Sequence, residues 1–295
     1  MTYKQIEEQA LQLLFAYTVQ GTVVDDGNTR DLLLAMPEAI NAAMAELAQD
    51  ACPIVRTLML AQPQPLYTCA QCTGAVQMPY PAQAGGASLY AHGQVQMTLT
   101  DVHGDVLQQD AGTGRMVLRQ TVEADGTLTL TPQGGARIAG AAVWQGAFAD
   151  AAEVPLWRSG ACGYDLRALV HAQCGRDYLA LAAGPQAVDA HGQAHPFLLE
   201  GDGQLYVYGP APVTIHATVL PQRMDENTPP GASPEIDPKG QGLIAYAVAA
   251  QLMAEDDLAL SQQYRAQFET QKQQLMALQR GTAGQPFACQ SGWVR

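Results

Sequence analysis

Helical periodicity marks both ends of the chain and is missing between them. Near the N-terminus Ile6, Ala10, Leu13, Leu14 and Tyr17 recur at helical spacing, followed by a second stripe of Leu32, Leu33, Met36, Ile40, Met44 and Leu47. Near the C-terminus Leu243, Ala247 and Ala250 line one helix, with Ile244, Val248 and Leu252 beside them, and Leu260, Tyr264, Phe268, Leu275 and Leu278 line another. From about residue 65 the texture becomes β-like. "VQMTLT" alternates Val95, Met97 and Leu99 against Gln96, Thr98 and Thr100. "MVLRQTV", "TLTLT" and "ARIAGAAVW" continue the pattern, separated by "VHGD", "EADG" and "PQGG".

Two N-terminal helices are too few to bury their own stripes, and the two final helices supply the missing faces. The expected fold class is therefore α+β: a helical bundle built from N- and C-terminal helices, residues 1–64 and 161–280, interrupted by an inserted all-β sandwich of jelly-roll type over 65–160. A short β-hairpin is expected from "QLYVYG" and "VTIHATVL", joined at Gly209–Pro212, and residues 281–295 are expected to form a flexible tail.

Local signals add detail. Asn28 can cap the second helix, with Asp31 placed as in a capping box, and Pro37 should kink or restart that helix. "CPIVRTLML" reads as a strand leaving the helices, and "YDLRALV" as a turn or two of helix. "PQRMDENTPPGASPEIDP" is a proline-rich loop.

The net charge is −13 over 295 residues, with 47% hydrophobic content. That charge disfavours tight generic nucleic-acid binding, because phosphate is repelled, but allows DNA to slide past. No apolar run reaches the ~18 residues of a membrane span. The opening "MTYKQIEEQALQLLF" carries acids where a signal peptide needs a basic start, so the expectation is a soluble protein made in the cytoplasm.

The candidate chemistry begins with Glu255, Asp256 and Asp257, between the two C-terminal helices. A metal site would need further ligands at i+3 or i+4, and none follows; the three acids read as the cap and turn of an αα-hairpin. Cys69 and Cys72 form one CxxC without a second pair, and it follows "AQPQPLYT" where a redox CxxC would open a helix beside a strand, which favours inert thiols over a metal or redox site. His191 and His195 sit among Gly192 and Pro196, a loop rather than a helical metal motif. "QDAGTGRM" is a turn, and Ser159 lacks the frame of a nucleophile elbow. Trp144, Trp157 and the strand tyrosines could stack on a sugar, though such residues are more often core. No cofactor, metal or catalytic residue is expected, and the chain reads as a non-enzyme.

Three stretches carry a likeness to a known family. They are "YKQIEEQALQLLFAY…NTRDLLLAMPEAINAAMAELAQ" with the strand "PIVRTLMLAQ", then "YDLRALV", then "VTIHATVLPQRMDENTPPGASPEIDPKGQGLIAYAVAAQLMAEDDLALSQQYRAQFETQKQQL". The chain resembles the head-to-tail adaptor (connector) proteins of tailed bacteriophages, in forms that carry an inserted carbohydrate-binding-like β-sandwich. The resemblance implies a virion structural protein of the neck, made in the host cytoplasm. It implies a homo-oligomeric ring of about twelve subunits beneath the portal. The ring would extend the DNA channel, let DNA pass without sequence-specific binding, and join the portal to the next neck or tail-completion protein. It also implies a portal-docking tail, with Pro286, Phe287, Trp293, Val294 and Arg295 as anchors. A rival expectation is a carbohydrate-binding surface protein whose sandwich takes a glycan.

Overall fold

The computed structural model describes residues 1–16, 22–24, 26–158, 160–182, 187–201, 203–209 and 212–283. The fold is mixed α+β, and its two larger sheets are built from antiparallel pairs. The chain divides into two compact units, Met1–Ile54 with Val219–Arg295, and Val55–Thr218.

The first unit holds α1 (Tyr3–Leu13) and α2 (Gly27–Asp50) from the start of the chain, and it takes two further long helices from the chain's end. Thr2 and Gln5 form a reciprocal capping box on α1. The cap of α2 is Asp26, whose carboxylate accepts from the Thr29 N–H at 2.8 Å; it displaces the expected Asn28 because the helix starts at Gly27. α2 also runs through Pro37 without ending there.

β1 (Ile54–Leu60) leads into the second unit, which continues through β2 (Pro65–Cys72), β3 (Val76–Tyr80), β4 (Ala84–Thr100), β5 (Val106–Leu118), β6 (Gly126–Pro132) and β7 (Arg137–Gln145). Strands β2 to β7 make a single sheet in the order β2-β7-β4-β6-β3, with β5 on the other edge of β4. β4 pairs with β7 over its first half and with β6 over its second, while β5 follows it on the far side. The strand corners at Gly93, φ 90°, where a Cβ would come within 2.9 Å of the Ala136 side chain. That corner folds the sheet nearly into a barrel, with its end strands β2 and β3 close together. One bent sheet therefore replaces the two facing sheets of the expected sandwich. Its core is Leu89, Val95, Met97, Leu99, Leu128, Leu130, Ile138, Val143 and Tyr80, the inward positions of each alternation.

Residues 161–218 belong with these strands and not, as expected, with the helical ends. β8 (Leu156–Arg158), β9 (Ala161–Asp165), β11 (Phe197–Glu200) and β12 (Gln204–Tyr208) form a four-stranded sheet in the order β11-β12-β9-β8. Between them lie α3 (Leu166–Cys174) and β10 (Tyr178–Leu181). α3 starts where Asp165 accepts from the Arg167 and Ala168 N–H groups. β13 (Val213–Val219) pairs with β1 and β10 in a separate sheet. The expected β12–β13 hairpin is therefore absent: both edges of β12 are taken by β9 and β11.

The first unit is completed by α4 (Pro238–Leu252) and α5 (Leu258–Ala283). α4 is buried almost all round, through Leu243, Ile244, Ala245, Ala247, Val248, Ala249 and Ala250, and α1, α2 and α5 each pack against it. Its alanines allow the close approach. The buried stripe of α5 is Ser261, Tyr264, Phe268 and Lys272. The expected stripe of Leu275 and Leu278 fails at its end, where Leu278 is exposed and a lysine takes the last buried position. Tyr17, expected on the α1 stripe, lies outside the described residues. Among the described residues no helix is long and apolar enough to cross a membrane.

Candidate functional site

The turn between α4 and α5 holds the three acids. Asp257 is the N-cap of α5: its carboxylate accepts from the Leu260 N–H at 3.0 Å, while its own N–H donates to the Met253 carbonyl. Glu255 and Asp256 are exposed beside it. Among the described residues no three His, Cys, Asp or Glu side chains are grouped to hold a metal.

A more concentrated charge cluster lies between α2 and α5, and it was not singled out from the sequence. Arg265 forms a two-pronged pair with Glu46, at 2.7 and 2.9 Å, and also pairs with Glu269 at 2.6 Å. Lys272, only 6% exposed at its side chain, reaches Glu46 at 2.5 Å, Glu269 at 3.0 Å and Asp50 at 3.2 Å. Both cations also sit over the Phe268 ring, at 5.0 and 5.2 Å from its centre. Burial pushes the Glu46 carboxyl upward, but the hydrogen bonds from Arg265 and Lys272 outweigh it and hold the group below its ordinary range. Burial likewise lowers the Lys272 ammonium, and its bonds to Glu46, Glu269 and Asp50 reverse the sign. Next to the cluster is a cleft of about 250 Å³ lined by Ala42, Ala43, Glu46, Ala247, Ala250 and Arg265. The signal was present in the spacing, since Glu46 and Asp50 share one helical face, and Arg265, Glu269 and Lys272 share another.

The second unit has its own polar and aromatic cluster. Arg158 on β8 pairs with Glu200 on β11, and its guanidinium lies 5.5 Å over the Tyr206 ring of β12. That ring crosses Gly163 on β9, where a Cβ would come within 2.5 Å of it. Arg115 on β5 stands opposite Tyr90 on β4, donates to the Val154 carbonyl at 3.0 Å and pairs with Asp165 at 3.5 Å. Burial pulls the Arg115 guanidinium below its ordinary value, and the negative charge of Asp165 opposes that shift. Tyr90 and Tyr208 are exposed.

The remaining sequence candidates are dispersed. Trp144 is fully buried and meets Trp157 edge-on at 6.1 Å, so it offers no open stacking face. Its indole N–H donates to Ser88 Oγ at 2.9 Å, and Ser88 donates to the Pro155 carbonyl at 2.5 Å. His195 lies 3.6 Å from Asp189, whose carboxylate also accepts from the His191 and Gln193 backbone; together they close a loop. Pro286, Phe287, Trp293, Val294 and Arg295 lie outside the described residues, as does Ser159.

No family model matches the chain, and no curated protein matches it. Among solved structures, the Yersinia pseudotuberculosis-derived mitogen matches 33% of this chain over 89% of its own length, at 10% identity and a TM-score of 0.19. Dimeric latent PorU from Porphyromonas gingivalis matches 63% of this chain, which covers 21% of PorU, at 11% identity and a TM-score of 0.19. At these scores neither likeness bears on fold or function.

Proposed function

We propose that this chain is a virion structural protein, the head-to-tail adaptor of a tailed bacteriophage. It assembles as a ring of about twelve subunits beneath the portal. The ring extends the DNA channel and joins the capsid to the neck and tail. The observation that carries the reading is the exposure of large apolar side chains just after α1 and in the first turns of α2. Phe15 is 71% exposed and Leu34 76%, with Leu33 and Val23 also exposed. Large apolar side chains left bare on a helical unit favour burial against another copy. In this reading α1, α2, α4 and α5 are one bundle and the α1–α2 end is the subunit contact. The charge of −13 suits a conduit that must not grip DNA. The tail anchors Pro286, Phe287, Trp293, Val294 and Arg295 dock on the portal, and the protein has no catalytic role.

Mass photometry of the full chain, alone and with portal rings, tests this. The expected result is a ring mass on the portal that Leu34→Asp abolishes while helical circular dichroism is kept. A wild-type chain that stays monomeric beside portal rings would end the adaptor reading. A second reading, a glycan-binding surface protein, draws support from the Arg158–Tyr206–Glu200 cluster with Tyr90 and Tyr208 exposed. Binding of the full chain to a glycan array, lost in Tyr90→Ala or Arg158→Ala, would favour it; a flat array would exclude the sugars displayed.

A further inference from the structure

β11 ends its four-stranded sheet with β12 as its one ladder partner. The ladder shows which backbone groups this leaves unpaired. Just before the strand, Pro196 accepts from the Tyr208 N–H at 3.0 Å, so these two residues form a hydrogen-bonded pair. Antiparallel pairs alternate between bonded and non-bonded. With an unshifted register, Leu198 and Glu200 bond to Tyr206 and Gln204, while Phe197 and Leu199 aim their N–H and C=O groups away from β12. The other edge of β12 agrees: Gly203 accepts there from the Leu166 N–H, so the odd-numbered residues of β12 serve β9. Among the described residues no backbone group meets Phe197 or Leu199 on the open side.

The edge is also apolar. Phe197, Leu198 and Leu199 are 40%, 44% and 41% exposed, although they alternate between the two faces of the sheet. Exposed edges are ordinarily blunted by a proline, a charge or a bulge. In the larger sheet β3 carries Pro79, β5 carries Asp110, and β2, which holds the half-buried Cys69 and Cys72, has a register shift between Pro65 and Tyr67. β11 has no such shift, and its one charge, Glu200, is held by Arg158.

We propose that β11 pairs with β11 of a second copy of this chain, antiparallel about a two-fold axis at Leu198, which joins two four-stranded sheets into one. The strand itself selects this occupant and this register. Phe197 and Leu199 are its free outward positions; beyond them the His195 N–H is taken by the Ala187 carbonyl, and the Gly201 carbonyl by the Gly203 N–H. An axis at Leu198 sets Phe197 of each copy opposite Leu199 of the other, so both outward residues of both copies are used in hydrogen-bonded pairs. Leu198 then meets its own twin at the closer, non-bonded spacing, and Glu200 falls opposite Pro196 instead of another carboxylate. The contact lies wholly in the unit Val55–Thr218 and is independent of the ring reading, which uses the α1–α2 end.

Sedimentation velocity of the full chain tests this, in the Leu34→Asp background so that the ring contact cannot supply the association. The buffer holds about 0.15 M salt, at which the charge of −13 on each copy is screened beyond about 8 Å. The expected result is a concentration-dependent shift from 31.4 kDa to twice that mass. Leu199→Pro removes an outward N–H that β12 does not use, as proline is tolerated at a strand edge. It should weaken the dimer about thirtyfold, through the two hydrogen bonds lost per dimer. Leu198→Lys and Leu198→Glu should each sediment as monomers, because each sets a charge against its twin, and an equimolar mixture of the two should restore the dimer. If either misfolds by circular dichroism, Leu199→Pro still decides. A chain that stays monomeric would overturn the proposal, as would a dimer that Leu199→Pro and the Leu198 variants leave intact. Folded lysine and glutamate variants that stay monomeric when mixed would also overturn it. A monomeric Leu34→Asp chain whose wild type still forms a ring on the portal would sink this contact and leave the adaptor reading standing.

Discussion

Lys272→Met isolates the charge cluster between α2 and α5. Methionine keeps most of the side-chain stem against Phe268 and removes the ammonium. Three carboxylates then face one another with Arg265 as the remaining cation of the cluster. At about 3 Å and an effective dielectric of about 20, each lost contact is worth about 5 kcal/mol before desolvation. The three acids remain partly exposed, which screens each pair toward the surface value of about 1 kcal/mol. Three such pairs sum to about 3 kcal/mol, the lower end of the cost of stripping one partner from a buried pair. The expected loss is therefore about 3 kcal/mol, read by urea unfolding followed through helical circular dichroism.

Its pH dependence follows from the two shifts. The Glu46 carboxyl is depressed, so its share of stability is present above its ordinary value of 4.5 and lost as pH falls through the lower folded value. The Lys272 ammonium is raised, so its share is complete below 10.5 and lost as pH rises through the higher folded value. Wild type and Lys272→Met should thus differ most between those limits and converge in acid. A difference under about 1 kcal/mol at neutral pH, or one that persists after the acids are protonated, would refute the reasoning.

Three further perturbations probe other contacts. Ser88→Ala strands the buried Trp144 indole N–H and should cost about 1–3 kcal/mol in thermal or urea unfolding; an unchanged midpoint would mean the indole finds another acceptor. Gly140→Ala places a Cβ 2.3 Å from the Trp157 backbone carbonyl, so β8 must lift from β7. The expected cost is about 2–3 kcal/mol with a red-shifted tryptophan emission, and unaltered emission would count against that packing. Asp257→Ala removes the cap of α5 and should cost about 1 kcal/mol, whereas Glu255→Ala and Asp256→Ala should be near neutral; equal losses at all three would contradict a role confined to Asp257.

Much of the helical part was legible because its signals are local. The stripes Ile6–Ala10–Leu14, Met36–Ile40–Met44–Leu47 and Tyr264–Phe268 are buried, and each is set by spacing along one helix. The turn at Asp257 likewise needs only its own neighbours. The clusters were harder to find because they join residues far apart in sequence. Lys272 looks like a solvent-facing lysine until Glu46 and Asp50 are brought against it. Arg158 gains its partners only when β8, β9, β12 and β11 line up in one sheet.

The sequence by itself marked the helical ends and the more regular strands, because hydrophobic period is a property of neighbours in the chain; short strands such as β8 to β11 carry too few residues to show one. It also marked the inward face of the second half of β4, where Val95, Met97 and Leu99 point into the core. Tertiary structure decided the pairing. β13 has the alternation of a hairpin partner for β12, yet it joins β1 and β10, because β12 had no edge left. β4 alternates only over residues 95–100, yet it continues back through the corner at Gly93 and pairs with β7 as well as β6, which makes one sheet of two prospective ones. Alternation states which side of a strand is apolar; it does not state which edge meets which, since the backbone groups that form ladders are the same in every residue but proline.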